Sequence, residues 1–161
     1  MEVAKSYEES AQFSDLYNWQ RDHATGPEFV LHDGPPYANG NLHMGHAVNK
    51  IIKDVCNRFK VLEGNKVHYI PGWDCHGLPI ELKALQNIKS KAEISNPFTI
   101  REIARNFATE TVKIQKATFE SWGVMADWDK SYLTMNRFYV ELLICRAVLF
   151  MKVNQPTISN N

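Results

Sequence analysis

The chain has 161 residues, of which 44% are hydrophobic, and its 18 basic and 18 acidic side chains give a formal net charge of zero. This length supports one hydrophobic core, or one core with an appended piece. The balanced charge provides no overall field that would attract DNA or an anionic membrane, and no apolar run approaches the roughly 20 residues of a membrane span. We therefore expect neither a membrane nor a DNA partner.

The cysteines are three in number, widely spaced and without a Cys-x-x-Cys pair: Cys56, Cys75 and Cys145. This pattern argues against a disulfide scaffold or a closed zinc knuckle and favours a reducing compartment. The first twenty residues, "MEVAKSYEESAQFSDLYNWQ", are too acidic and polar for a signal or transit peptide. We expect residues 1–28 to form a helical extension.

The first chemical motif follows a predicted strand. The run "FVLHD" from Phe29 predicts a short buried strand that ends at Gly34-Pro35-Pro36, because proline cannot continue a ladder. After an Asn-Gly turn the apolar residues recur at three- and four-residue spacing, which predicts an amphipathic helix ended by Gly64. The residues of this apolar stripe are Met44, Val48, Ile51, Ile52, Val55, Phe59 and Leu62.

A second predicted strand, "KVHYI", is broken at Pro71-Gly72 and is followed by "WDCHG". Strand, turn, helix and strand over this length form the βαβ unit of a parallel sheet. Both motifs then lie at the carboxyl ends of strands, where open α/β sheets bind their ligands.

The second half of the chain is predicted to be helical. Thr99 and Glu102 fit a capping box, and helical spacing continues to Gly123. A turn-rich connection, "MADWDKSYLTMN", leads to a last helix from about Arg137 to Lys152. The predicted fold class is α/β: the first half of a Rossmann-like parallel sheet over residues 29–90, with an appended helical segment over 91–161.

His43 and His46 lie at the predicted helix start, on one face and with Gly45 between them. A helix N-terminus offers unpaired backbone N–H groups and a partial positive charge, which bind anions. Two imidazoles there suit a phosphoryl centre whose charge grows in the transition state. Gly45 leaves the approach to the backbone open.

Asp74 ends the second motif, where a carboxylate can pair with an amino group in a cleft poor in water. The turn at Gly34 and Pro35 would form a wall of the same crevice. These features predict nucleotide phosphates on one side of the site and a substrate that carries an amine on the other.

Simpler interpretations remain open at several positions. A lone H-x-x-H is usually a helix start, Asp74 can be a turn residue, and Trp73 can belong to the core. Cys75, His76 and the two histidines of the first motif could ligate zinc, although the spacing shows no supporting carboxylate. We expect packing roles for Phe107, Trp122 and Trp128, and a solvated helix face at Lys50, Lys53 and Arg58.

The motifs resemble those of a known family. "LHMGH" resembles the HIGH signature of class I aminoacyl-tRNA synthetases, and "HDGPPYANGNLHMGHAVNKIIKDVCNRF" with "PGWDCHGLPIELK" resembles the isoleucine-specific members. Valine-specific members have a Pro-Pro-Pro-Asn type of turn, and leucine-specific members have Phe in place of His76. The resemblance extends from about Phe13 to Tyr139 and is greatest to the bacterial and mitochondrial branch.

The resemblance implies that isoleucine is activated by ATP and then transferred to tRNA(Ile), with Mg²⁺ accompanying the ATP. It implies that His43 and His46 are catalytic and contact ATP. The implied ATP-binding residues also include Asn39, Gly40 and Gly45. The implied amino-acid-binding residues are Gly34, Pro35, Trp73, Asp74 and His76, and no residue is implied as a metal ligand.

Several parts of the family pattern are missing from the chain. It lacks a Lys-Met-Ser-Lys-Ser loop, the second half of the nucleotide fold, the editing domain and the anticodon-binding domain, and it diverges after about Ala147. We expect an amino-terminal fragment or truncated product of poor independent stability, incompetent alone. A non-catalytic chain, a small-molecule or partner-binding module, and a valine or leucine enzyme are the alternatives. The resemblance implies the mitochondrial matrix, with the cytoplasm as the alternative.

Overall fold

The computed structural model describes residues 15–86 and 96–153. The elements run in the order α1 (Leu16–His23), β1 (Glu28–Val30), α2 (Met44–Leu62), β2 (Lys66–His68), β3 (Gly72–Trp73), α3 (Leu78–Gln86), α4 (Pro97–Ser121), β4 (Tyr132–Leu133) and α5 (Arg137–Val153). Predictions that concern residues 1–14, 87–95 and 154–161 lie outside the described residues. No helix of the described segments is both long and apolar enough to cross a membrane.

The predicted βαβ unit is confirmed. β1 and β2 pair in parallel, with Phe29 opposite Val67, and α2 connects them. The prediction that β1 is buried is wrong, because Val30 is 59% exposed whereas Val67 is fully buried. The reason is that α1 and residues 124–126 pack with β2, in a cluster of Tyr17, Val67, Tyr69, Val124, Met125 and Ala126.

A second parallel pair was not predicted. β3 pairs with β4, and a bridge between Tyr37 and Asp74 extends this pairing. Both strands lie where the sequence predicted turns, at Pro71-Gly72 and within residues 125–136. The ring of Tyr132 lies so close to Gly72 that an added Cβ would be 2.1 Å from its Cζ. A two-residue strand paired across sixty positions is too short to show a period in sequence.

α4 forms as predicted but begins earlier than the Thr99–Glu102 capping box. Its N-cap is Asn96, whose side-chain oxygen accepts a hydrogen bond of 2.9 Å from the backbone N–H of Phe98. Pro97 occupies the first turn, where its missing N–H costs nothing. α4 packs against α3 and supplies much of a core cluster that includes Ala38, Trp73, Cys75, Ile80, Ala108, Val112, Phe119 and Met135.

The expected packing roles of Phe107, Trp122 and Trp128 are confirmed, because all three lie partly buried against the two core clusters. The expectation of a solvated helix face at Lys50, Lys53 and Arg58 is wrong. Lys50 is 4% exposed and forms an ion pair with Asp33, which Lys53 also contacts. Arg58 pairs with Asp54 at 2.6 Å and donates to the carbonyl of Gly123 at 2.7 Å.

The apolar stripe of α2 is the side that faces solvent. All seven residues of the predicted stripe are between 45% and 86% exposed. The helix bounds agree with the prediction, but the buried positions on α2 are Lys50 and Asn57. Charge pairing with Asp33 accounts for the burial of the lysine, since a buried ammonium requires a partner.

Candidate active site

The two histidines of the first motif cap α2 and bond to each other's backbone. His43 is the N-cap, and its Nδ1 accepts a hydrogen bond of 3.1 Å from the backbone N–H of Gly45. The Nδ1 of His46 in turn accepts one of 3.3 Å from the backbone N–H of His43. Because both Nδ1 atoms are acceptors, both neutral rings carry their hydrogen on Nε2. The arrangement leaves two imidazole N–H donors at a helix start.

His46 is held in its neutral form. Burial, the nearby His43 and the charge of Lys50 all lower the pKa of His46 below its ordinary value of 6.5. The ring centroids of the two histidines are 4.0 Å apart. The lowered pKa favours the His46 ring as a neutral donor through Nε2.

The geometry of the cap favours glycine at position 45. A Cβ at this position would lie 2.9 Å from the Cε1 of His43. Beside Gly45 begins an apolar groove of about 570 Å³ on the surface of α2, lined by Met44, Gly45, Val48, Asn49, Ile52 and Lys53.

A buried charge network fixes this helix to the end of β1. Asp33 accepts hydrogen bonds from Lys50 and Lys53, and the hydroxyl of Tyr69 donates to its Oδ2 at 3.1 Å. Burial by itself would raise the pKa of Asp33, but the two ammonium groups outweigh it and hold that pKa below its ordinary value of 3.8. Burial and the carboxylate of Asp33 raise the pKa of Tyr69. The sequence signal for this network was two lysines at i and i+3 on a helix that follows an aspartate.

Asp74 is joined to the first motif through the backbone. Its N–H donates to the carbonyl of Pro36 at 2.9 Å, and its carbonyl accepts from the N–H of Ala38 at 2.9 Å. The segment that begins at Gly34 and leads to the histidines therefore runs beside Asp74. The two predicted motifs are brought together in this way.

The Asp74 carboxylate is held through one oxygen. Its Oδ1 accepts from the backbone N–H of His76 at 3.2 Å and from the hydroxyl of Thr134 at 3.3 Å. The bond to His76 is that of a turn residue, as the simpler interpretation expected. Oδ2 receives no hydrogen bond from the described part of the chain. His76 is exposed, and its Nε2 lies 3.1 Å from the carbonyl oxygen of Thr134.

Trp73 lies in the core, fully buried, with its indole near the rings of Phe119 and Trp128. This placement agrees with the packing alternative. Its indole N–H donates to Gln115 at 3.0 Å. Gln115 also donates to the carbonyls of Tyr37 and Gly40, at 3.1 and 2.6 Å. Sequence reasoning missed Gln115, because a glutamine within a helix carries no motif.

Metal ligation has little support in the geometry. Among residues 15–86 and 96–153, no group of three or more His, Cys, Asp or Glu side chains is arranged to hold a metal ion. Burial raises the pKa of the Cys75 thiol to about 11, which opposes the thiolate form that zinc requires.

The family model described as tRNA synthetases class I (I, L, M and V) matches residues 2–152. The chain belongs to the class I aminoacyl-tRNA synthetases. It is 54% identical over 127 residues to the mitochondrial isoleucine–tRNA ligase of Macaca fascicularis, a match that covers 79% of this chain and 13% of the relative. It is 53% identical over 140 residues to the isoleucine–tRNA ligase of Nostoc sp., covering 86% and 14% respectively.

A solved class I synthetase shares the fold. The LeuRS of Agrobacterium radiobacter K84, in a ternary complex with tRNA and LeuAMS, superposes with a TM-score of 0.63 at 21% identity. The match covers 91% of this chain and 18% of that synthetase. This likeness confirms the α/β, Rossmann-like fold class. The chain spans about one seventh of the length of the curated synthetases that it matches.

Proposed function

We propose that the chain forms the ATP- and isoleucine-binding half-site of an isoleucine–tRNA ligase. The observation that carries the proposal is the reciprocal cap of His43 and His46, which leaves two Nε2–H donors at the start of α2. The identity of 53 to 54% to isoleucine–tRNA ligases favours isoleucine over valine or leucine as the substrate.

In the proposed reaction a carboxylate oxygen of isoleucine attacks the α-phosphorus of ATP. The bond from that phosphorus to the bridging oxygen breaks, and pyrophosphate leaves with the electron pair. His43 and His46 donate hydrogen bonds to the α-phosphoryl oxygens, whose charge grows in the transition state. In the longer enzyme, a ribose hydroxyl of tRNA(Ile) then displaces AMP from the adenylate.

We assign the remaining ATP contacts to the turn before His43 and to the start of α2. Asn39 and Gly40 precede the histidines in the turn, and both are half-buried. The apolar groove that begins at Gly45 is large enough for an adenine base. We assign Mg²⁺ to the phosphates of ATP and name no protein ligand for it, since the described residues contain no cluster of metal-binding side chains.

The isoleucine pocket is proposed on the other side of the 34–40 turn. The ammonium group pairs with Oδ2 of Asp74, the oxygen that the described residues leave open. A Cβ at Gly34 would meet nothing within 4 Å, so packing does not require glycine there and the space is open to a substrate. We assign Pro35 and His76 to the same pocket, and we assign Trp73 a supporting place in the core.

A second candidate is a non-catalytic product that only binds a small molecule or a partner. The exposed apolar stripe of α2 favours this second candidate, because an isolated chain with such a face is prone to associate.

We also propose that the chain is divided into a helical extension (1–28), a half-domain (29–90) and a helical segment with a divergent tail (91–161). Residence in the mitochondrial matrix is a further proposal, supported by the mitochondrial relatives.

Isoleucine-dependent exchange of pyrophosphate into ATP, catalysed by the 161-residue chain, tests the proposed reaction. His43→Ala and His46→Ala are the informative variants, since both remove the imidazole N–H donor, and their activity is corrected for the folded fraction because the caps are also lost. Because the chain is expected to be incompetent alone, we expect no exchange above background from the folded chain. Exchange that requires isoleucine and is lost in both variants would instead show that this half-site supports slow adenylate formation, and equal exchange in the variants would exclude the histidine role. ATP binding by the folded chain, measured by titration, supports the half-site, and its absence would favour the alternative function.

A further inference from the structure

A single buried side chain connects the two halves of the proposed site. Gln115 of α4 is 1% exposed, and its amide accepts from the indole of Trp73 and donates to the carbonyls of Tyr37 and Gly40. Each of these three bonds holds a residue close to a proposed ligand-binding residue. Trp73 precedes Asp74 in the chain, and Tyr37 forms the bridge to Asp74. Gly40 lies in the turn that precedes His43.

The orientation of this amide is determined by its partners. The indole N–H is only a donor and the two carbonyls are only acceptors, so the oxygen faces Trp73 and the nitrogen faces the turn. Both hydrogens of the amide nitrogen are used. A carboxylate of the same shape would keep the bond to Trp73 but would place its other oxygen against two carbonyl oxygens. Glutamine is therefore the residue that satisfies all three groups together.

We propose that Gln115 is a positioning residue that sets the spacing between the isoleucine subsite at Asp74 and the ATP subsite at the histidines. This inference rests on the proposed function, since it assigns those two subsites their ligands. The carboxylate of isoleucine must lie next to the α-phosphate of ATP for attack, and a displacement of about 1 Å costs as much as a hundredfold in rate. Gln115 holds that distance together with the two backbone bonds between Asp74 and the 36–38 segment, because α4 bonds to both segments.

A second buried glutamine provides a matched control. Gln20 is fully buried and also bonds to backbone, donating to the carbonyl of Val67 at 2.8 Å and accepting from its N–H at 2.9 Å. Gln20 bonds to the backbone of β2 and contacts neither proposed subsite. A Gln→Glu change at either position introduces the same buried charge, so a general loss of stability is common to both variants.

The test compares Gln115→Glu and Gln20→Glu in the full chain. Titrations measure affinity for isoleucine, for ATP, and for the sulfamoyl analogue of isoleucyl-adenylate, which spans both subsites, each corrected for the folded fraction. In Gln115→Glu we expect about a twofold change for either single ligand and about a tenfold loss for the analogue, equivalent to about 1.4 kcal/mol. Gln20→Glu should change none of them. Equal losses for all three ligands, or the same loss in both variants, would overturn the proposal.

Amide hydrogen exchange separates this proposal from the proposed function. The N–H of Ala38 bonds to the carbonyl of Asp74 across the bridge, and the N–H of Val67 reports on β2. In Gln115→Glu we expect the exchange rate of Ala38 relative to Val67 to rise at least about tenfold, as in local opening, and in Gln20→Glu we expect no rise. If the wild-type chain binds none of the three ligands, the proposed function is wrong for this chain. Independently of that result, an unchanged ratio of the Ala38 to Val67 exchange rates in Gln115→Glu would show that Gln115 does not hold the two segments together.

Discussion

The two long helices α2 and α4 are both amphipathic in sequence, yet they use their apolar sides in opposite ways. α4 buries Phe119 and Val112 against α3 and the second strand pair. α2 exposes Ile52 and Phe59 and instead buries a lysine paired with Asp33. The comparison teaches that periodicity identifies which side of a helix is apolar, whereas a partner elsewhere in the chain decides whether that side is covered.

The same substitution on the two helices should have very different effects. Phe119 is 1% exposed and Phe59 is 55% exposed. We expect Phe119→Ala to lower the free energy of unfolding by about 3 to 5 kcal/mol, because it leaves a cavity among aromatic rings. Phe59→Ala should cost about 0.5 kcal/mol or less. Urea unfolding measures both, and similar costs would mean that the α2 face is covered in solution.

The buried charge network should stabilise α2 more than its apolar face does. Asp33→Asn leaves the buried ammonium of Lys50 without its carboxylate, and we expect a loss of about 3 kcal/mol or more. Lys53→Met is the control, because Lys53 is one-third exposed and its side chain can relax into water; its cost should stay below about 1 kcal/mol. Thermal and urea unfolding of the three proteins give the comparison.

Acid should weaken the same network. The pKa of Asp33 is depressed in the folded chain, so its contribution is present above the unfolded value near 3.8 and is lost as pH falls through the lower folded value. We expect wild-type stability to fall in this acid range by more than that of Asp33→Asn. Parallel pH dependences for the two proteins would show that Asp33 does not titrate in this way.

The exposed stripe of α2 should bind apolar probes and promote association. We expect the wild-type chain to bind the dye ANS and to sediment as a concentration-dependent mixture, and we expect Ile52→Ser with Val55→Ser to reduce both effects. Free energies of unfolding should change by about 0.5 kcal/mol or less, as for exposed positions. A monomeric wild-type profile with a cooperative unfolding transition would contradict this prediction and the expected poor stability.

The smallest effect on stability is expected at Gly34. An added Cβ meets no atom within 4 Å, so Gly34→Ala should leave the free energy of unfolding within about 0.5 kcal/mol. The proposed isoleucine pocket predicts a loss of isoleucine affinity with ATP affinity unchanged. Calorimetric titration of both ligands measures this, and unchanged isoleucine affinity would remove Gly34 from the pocket.

The parts of the molecule that sequence predicted are those encoded locally. The bounds of α2, the parallel pairing of β1 with β2 and the position of the histidines at a helix start all follow from periodicity and turn residues within about forty positions. The family was identifiable because its motifs lie in the same stretch. Asp74 lies beside the histidine segment as expected, although it does so through its bridge to Tyr37, which extends a strand pair that the sequence did not predict.

The parts that sequence missed depend on partners far along the chain. β3 and β4 are too short to show a pattern, and they pair where the ring of Tyr132 packs on Gly72. Lys50 has the spacing of a surface lysine until Asp33 is placed against it. Gln115 acquires its role from three groups, between 42 and 78 positions away, and no local pattern records such a convergence.

The mutual cap of His43 and His46 means that the backbone selects the tautomer of both rings. Each Nδ1 is engaged by a main-chain N–H that lies within three residues, so the side of each ring that meets a ligand is decided before any distant part of the molecule packs. Five consecutive residues, Leu42 to His46, therefore contain a complete pair of oriented donors. The glycine belongs to this unit, because a Cβ at Gly45 would lie against the ring of His43.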